Sequence, residues 1–189
     1  MISSHNDWDQ LKECFVGIAD NMVHPKMDLS VMSFSYAGYE YDEVKNLKGA
    51  YPQWIIDEAN EDLNNLSIHL EKLGVKVRRP EKTKHSSAFS SPDWQSTGWY
   101  NYCPRDLLLP LDNLIIDCPS AMRSRYFETF AYRNFLYEQF DEGVQWISAP
   151  KPRLLDDLYT FEDLTKPTVL DKEIIFDAAN IVRMGNDLL

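Results

Sequence analysis

The chain has 189 residues, with 19 Lys and Arg against 30 Asp and Glu, a formal net charge of −11. That balance repels a phosphate backbone and argues against nucleic acid as a partner, because nonspecific nucleic-acid affinity comes largely from Lys and Arg. With 44% hydrophobic and 13% aromatic residues the chain can bury a core of one ordinary domain, which argues against intrinsic disorder.

No apolar run approaches the roughly 20 residues that a bilayer-spanning helix needs. The opening MISSHNDWDQ lacks the basic and apolar regions of a signal peptide, so a cytoplasmic protein without a membrane partner is expected. The cysteines are Cys14, Cys103 and Cys118, an odd number without CxxC spacing, so neither a disulfide framework nor a zinc site is indicated.

The run Leu11–Gly17 reads as a strand with a turn after it. Residues 20–52 scatter aromatics among Gly, Pro and charges without a sustained period and read as a long surface excursion. Ala59, Leu63, Leu66, Leu70 and Leu73 then recur at helical spacing, and Gly74 ends that helix. Val75-Lys76-Val77-Arg78-Arg79-Pro80 alternates apolar and charged residues and reads as the strand that completes an α/β unit. The Ser-, Lys- and Pro-rich stretch 81–96 predicts an exposed loop.

Leu107-Leu108-Leu109 and Leu114-Ile115-Ile116, joined by Pro110-Leu111-Asp112-Asn113, predict a β-hairpin. A second helix is expected over 120–141, closing at Gly143, and Val144-Gln145-Trp146-Ile147 is the next strand. The order suggests a ββαβ-like unit used twice, although residue identities do not repeat. A third unit starts within 174–189, where the chain stops inside an expected hairpin.

Three places carry candidate chemistry. Cys103 precedes a proline and lies two residues from Arg105, which could favour a thiolate, yet His5, His24, His69 and His85 sit in no catalytic setting. A small, partly buried residue is the favoured reading of Cys103. Asp106 heads an apolar strand and could hold a guanidinium, or it could simply pair with Arg105 or cap a turn, which local sequence favours. Asp177, between Phe176 and Ala178-Ala179, is either a turn residue or a pocket carboxylate that orients a histidine or binds a guanidinium.

Arg123, Arg125, Glu128 and Arg133 read as the polar face of a helix, the alternative being that one of them fixes an active-site loop. No GxGxxG, P-loop, HExxH or GxSxG pattern occurs, so nucleotide binding, zinc proteolysis and serine hydrolysis lack support.

Taken together, SSHNDWDQLKECFVG, ANEDLNNLSIHLEKLGVKVRRPE, YCPRDLLL, PSAMRSRYFETFAYRNF, APKPRL and FDAANIVRMGNDLL resemble the amidinotransferase family, from residue 3 to the last residue. The family includes the glycine and inosamine-phosphate amidinotransferases. The resemblance implies an α/β fold, the pentein, a five-bladed propeller of ββαβ modules. About two modules and the start of a third would be present, with residues 1–189 the N-terminal part of one catalytic domain.

It also implies transfer of an amidino group from L-arginine to an acceptor amine through an amidino-cysteine, with no metal or organic cofactor, and a homodimer. By this match Asp106 contacts the substrate guanidinium and Asp177 supports the catalytic histidine. The nucleophilic Cys and catalytic His fall outside the chain, Cys103 is not at the nucleophile's position, and the chain alone is expected to be inactive. A non-catalytic fragment that binds arginine or a partner, and an arginine deiminase-like hydrolase of the same fold, are the competing readings.

Overall fold

The computed structural model describes residues 2–163, 166, 168–185 and 187–189. Strand β1 (Glu13–Phe15) is followed by β2 (Val23–His24), helix α1 (Leu29–Ser35), the single turn α2 (Tyr41–Val44) and β3 (Gly49–Ala50), which pairs antiparallel with β2. Helix α3 (Gln53–Lys72) then crosses over to β4 (Lys76–Arg78), which lies parallel to β1 in the register Cys14↔Val77. A small hairpin, β5 (Ala88–Ser90) and β6 (Gln95–Thr97), precedes the second unit.

In that unit β7 (Leu108–Leu111) and β8 (Leu114–Asp117) form a hairpin, helix α4 (Arg133–Asp141) crosses over, and β9 (Gln145–Ser148) returns parallel to β8 with Ile116↔Ile147. The last hairpin is β10 (Arg183–Met184) with β11 (Asp187–Leu188); Asn186, also within the predicted third unit, lies outside the described residues. The class is mixed α/β with several small sheets, and the repeated strand–helix–strand crossover matches the expected reuse of one module. Among the described residues no helix is long and apolar enough to cross a membrane.

Both crossover helices stop where a glycine can take a left-handed backbone. Gly74 has φ 84° and Gly143 φ 90°. In each case the residue after the glycine reaches back to close the last turn, with Val75 N donating to Leu70 O at 3.1 Å and Val144 N to Gln139 O at 3.0 Å. Each helix is thereby turned directly into its strand. The strand residues then fill a core formed by Leu107, Ile115, Ala131, Tyr132, Leu136 and Val144. Leu107 and Leu136 are essentially inaccessible, and such burial stabilises by about 1.5–3 kcal/mol per side chain.

Four expectations need correction. Residues 20–52 are not a surface excursion: Met27, Val31, Met32 and Val44 are buried there against Trp99 and Met122. Helix α1 starts because Asp28 caps it, its Oδ1 accepting from Ser30 N at 2.8 Å and Val31 N at 3.1 Å. The inner face of α3 runs through Ile56, Leu63 and Ser67, while Leu66 and Leu73 are exposed. Polar residues serve that face, with Asn60 Oδ1 accepting from Ala19 N at 2.9 Å and Ser67 Oγ accepting from Arg79 Nη1 at 3.1 Å.

The segment 120–141 is not one helix. It holds 3-10 turns at Arg123–Arg125 and Glu128–Tyr132 before α4 begins at Arg133. The stretch 81–96, finally, is not only an exposed loop, since it carries a hairpin and buries His85.

His85 is 3% exposed, and its Nε2 has no hydrogen-bond partner among the described residues. Burial lowers its pKa to about 4. The unfolded chain takes up this proton near the ordinary value of 6.5, so the stability from keeping His85 neutral is complete above that pH. It is lost as pH falls from there towards 4. The thermal midpoint is therefore expected to drop between pH 7 and pH 5, with a shallower drop for His85→Gln. Equal slopes for the two proteins would remove His85 from the acid response.

Candidate active site

The PRD segment is a 3-10 turn over Pro104–Asp106, with Leu107 N donating to Pro104 O at 3.2 Å and the buried Leu107 anchoring its end. Pro104 suits the first position of such a turn, where its missing N–H costs nothing. Asp177 sits just before a second 3-10 turn, Ala178–Asn180, whose Asn180 N donates to Asp177 O at 3.0 Å.

Arg105 ties the two turns together: its Nη1 donates to Ala178 O and its Nη2 to Ile181 O at 3.1 Å. Ala178 is completely buried, as a small residue permits at a close approach. The structure thus brings Asp106 and Asp177 into one neighbourhood, and the Asp106 charge helps raise the pKa of Asp177.

The centre of that neighbourhood is Arg125. It is 5% exposed. Its Nε donates to Glu128 Oε2 at 2.5 Å, Nη2 to Glu128 Oε1 at 3.3 Å and to Cys103 O at 3.2 Å, and Nη1 to Asp106 Oδ2 at 2.7 Å. The guanidinium lies 5.4 Å from the centre of the Tyr100 ring. Asp106 is therefore partnered by Arg125, not by Arg105. Arg123 and Arg125 are buried and do not form an exposed helical face.

Burial opposes the charge on Arg125, but Glu128, Tyr100 and Asp106 hold its pKa above the ordinary value. Burial pushes the Glu128 carboxyl up to about 7 against the pull of Arg125. Burial likewise raises Asp177, with Arg125 working against the shift and Asp106 adding to it. Two arginines, Arg105 and Arg125, meet three carboxyl groups here, Asp106, Glu128 and Asp177, so acidic groups outnumber cations, which suits a cationic ligand. Asp177 Oδ1 is buried without a hydrogen-bond partner among the described residues.

Asp177 also lines an open cleft of about 260 Å³ with Phe34, Asp171, Glu173, Phe176 and Asn180. Asp106 is not among its walls.

The cysteines are not activated in this arrangement. Burial raises Cys14, with Glu13 adding to it, raises Cys103, only partly offset by Arg125, and pushes Cys118 up to about 12. Among the described residues no histidine hydrogen-bonds Asp177 or a cysteine: His24 contacts Pro25 O and Tyr36 Oη, and His69 contacts Asn65 O.

No protein-family profile matches the chain. Over its whole length it is 45% identical to inosamine-phosphate amidinotransferase 1 of Streptomyces griseus, covering 54% of that protein. The solved structure of that Streptomyces griseus enzyme superposes on all of the chain with a TM-score of 0.93, at 44% identity and again over 54% of the solved chain. The chain is an amidinotransferase homologue.

It is also 38% identical, over all of its length, to the L-arginine:L-lysine amidinotransferase of Pseudomonas savastanoi pv. phaseolicola, of which it covers 54%. Mitochondrial glycine amidinotransferase of Xenopus tropicalis is 36% identical over 99% of the chain and 47% of that protein. The homologue thus spans about half the length of the curated relatives it matches. Its fold is accordingly a partial pentein of two modules and the start of a third, in line with the N-terminal portion of these enzymes.

Proposed function

We propose that residues 1–189 form the N-terminal part of a single pentein catalytic domain and supply the guanidinium-holding part of a site that transfers an amidino group from L-arginine to an acceptor amine. The observation that carries this reading is that Arg105 joins the turn of Asp106 to the turn that follows Asp177, around a site with more carboxyl groups than cations. A delocalised planar cation is the natural guest for Asp106, whose second oxygen is unpartnered among the described residues, and the unpartnered Asp177 Oδ1 can take a second donor. In this reading Asp106 accepts from the guanidinium and Asp177 orients the histidine that handles the proton of the departing amine.

A thiolate attacks the guanidinium carbon, the amine leaves with a proton, and the acceptor amine then displaces the cysteine from the amidino group. None of Cys14, Cys103 and Cys118, whose thiols burial pushes up, fits the nucleophile. The nucleophile and the catalytic histidine are therefore assigned to residues other than these 189, and the isolated chain should form no ornithine.

Titration of the chain with L-arginine is expected to show saturable binding, and Asp106→Asn should weaken it by roughly tenfold to a hundredfold, as the loss of a charge-assisted hydrogen bond does. L-citrulline has the same shape but a neutral ureido head and should not compete. Equal binding of arginine and citrulline by calorimetry would dismiss the guanidinium site.

A further inference from the structure

We infer that Arg125 is a positioning residue for substrate binding: it fixes one oxygen of Asp106 from the protein side so that the other is presented to the substrate guanidinium. The inference rests on the L-arginine reading above. Arg125 is too buried to meet substrate itself, and its Nε, Nη1 and Nη2 are engaged by Glu128, Asp106 and the Cys103 carbonyl. Its fork is clamped from behind by both oxygens of Glu128, a side chain 2% exposed, and from one side by the Cys103 carbonyl. The tip left over meets Asp106 Oδ2 at 2.7 Å.

Asp106 differs from Glu128 in keeping 22% of its side chain exposed, and its Oδ1 makes no hydrogen bond among the described residues. One carboxylate is thus sealed and serves as an anchor, while the next is half-satisfied and partly exposed. The Cys103 carbonyl belongs to the same turn as Asp106, so Arg125 fixes both the backbone and the side chain of that turn.

A lysine cannot reproduce this. Its single ammonium is a point charge and cannot fork to Glu128 and Asp106 with the planar geometry of a guanidinium.

The test uses the full chain labelled with ¹³C at the aspartate carboxyl carbons, with the Asp106 resonance assigned by its absence in Asp106→Asn. In ligand-free Arg125→Lys the Asp106 resonance is expected to shift, and L-arginine affinity to fall at least about tenfold. The far-ultraviolet circular dichroism should stay that of wild type. Glu128→Gln keeps the volume and releases the clamp from behind; it should act in the same direction, and it carries the test if the lysine variant does not fold.

An unmoved Asp106 resonance, or wild-type arginine affinity in a folded variant, would overturn the positioning role and leave the guanidinium site standing. A wild-type Asp106 resonance that ignores L-arginine would overturn the guanidinium site and, with it, this inference.

Discussion

Gly17→Ala is expected to destabilise the protein by roughly 3–5 kcal/mol, a large part of what a domain of this size possesses. A Cβ at this position would stand 2.0 Å from Tyr102 O, 2.5 Å from Tyr102 C and 2.8 Å from Asn101 O. These are backbone atoms, so no side-chain rotation relieves the clash. The approach is held on both sides: Val16 N donates to Arg78 O at 2.9 Å, Ile18 N to Asn101 O at 2.9 Å, and Gly17 O accepts from Arg79 Nη2 at 2.8 Å.

The strain would pass to Cys103, whose carbonyl takes Arg125, so the L-arginine binding proposed above should weaken along with stability. Gly74→Ala is the control. Its φ of 84° costs about 1–2 kcal/mol in backbone strain, but nothing lies within 4 Å of the added carbon. Urea denaturation followed by circular dichroism compares the two, and equal losses would show that crowding at Gly17 is not what matters.

Gly17 marks a limit of what a sequence displays. Gly74 and Gly143 end helices whose apolar spacing is visible in the chain, so their role can be read from local order, and the strands after them follow. Gly17 is needed because of a segment some 85 residues away, and nothing near it in the chain says so. The same holds for Pro110. It reads as part of a turn but lies within β7, where it is tolerated because β7 is an edge strand of the β7-β8-β9 sheet. The actual turn is Asp112-Asn113, with Asp112 at φ 46°.

At the site, Asp106 and Asp177 could be singled out from their apolar and small neighbours and from the family resemblance. Arg125 shares with Arg123, Glu128 and Arg133 only the alternative of fixing an active-site loop, because charged residues at these positions look like a solvated helical face unless one knows that the segment is coiled into 3-10 turns. The pattern "RSRYFE" could have given a warning: two arginines and a glutamate among aromatic residues suit buried ion pairs and ring contacts as well as a surface.

Arg123→Ala is the second large effect, expected to cost roughly 3 kcal/mol. Arg123 is 5% exposed and lies between Trp94 and Tyr159, at 5.8 Å and 5.6 Å from their ring centres. Its Nε and Nη2 both donate to Leu154 O, at 3.0 Å and 2.6 Å, and Nη2 also reaches Asp156 Oδ1 at 2.6 Å. Leu154 is fully buried with φ 55°, a conformation that costs a branched residue about 1–2 kcal/mol.

Something must hold it there. Arg123 takes the carbonyl, and the Glu173 carboxylate accepts the amides of Arg153, Leu154 and Leu155 at 2.5, 3.3 and 3.4 Å. Arginine and glutamate thus grip one strained turn from opposite ends. Removing either lets the turn relax, so removing the second should cost less than it does alone. A double-mutant cycle with Arg123→Ala and Glu173→Ala should therefore give a coupling of about 1 kcal/mol or more, whereas simple additivity would mean that the two act on Leu154 independently. Because Glu173 also forms a wall of the cleft that contains Asp177, the relaxed turn should loosen that cleft, and the proposed L-arginine binding, measured in each single variant, reads by how much.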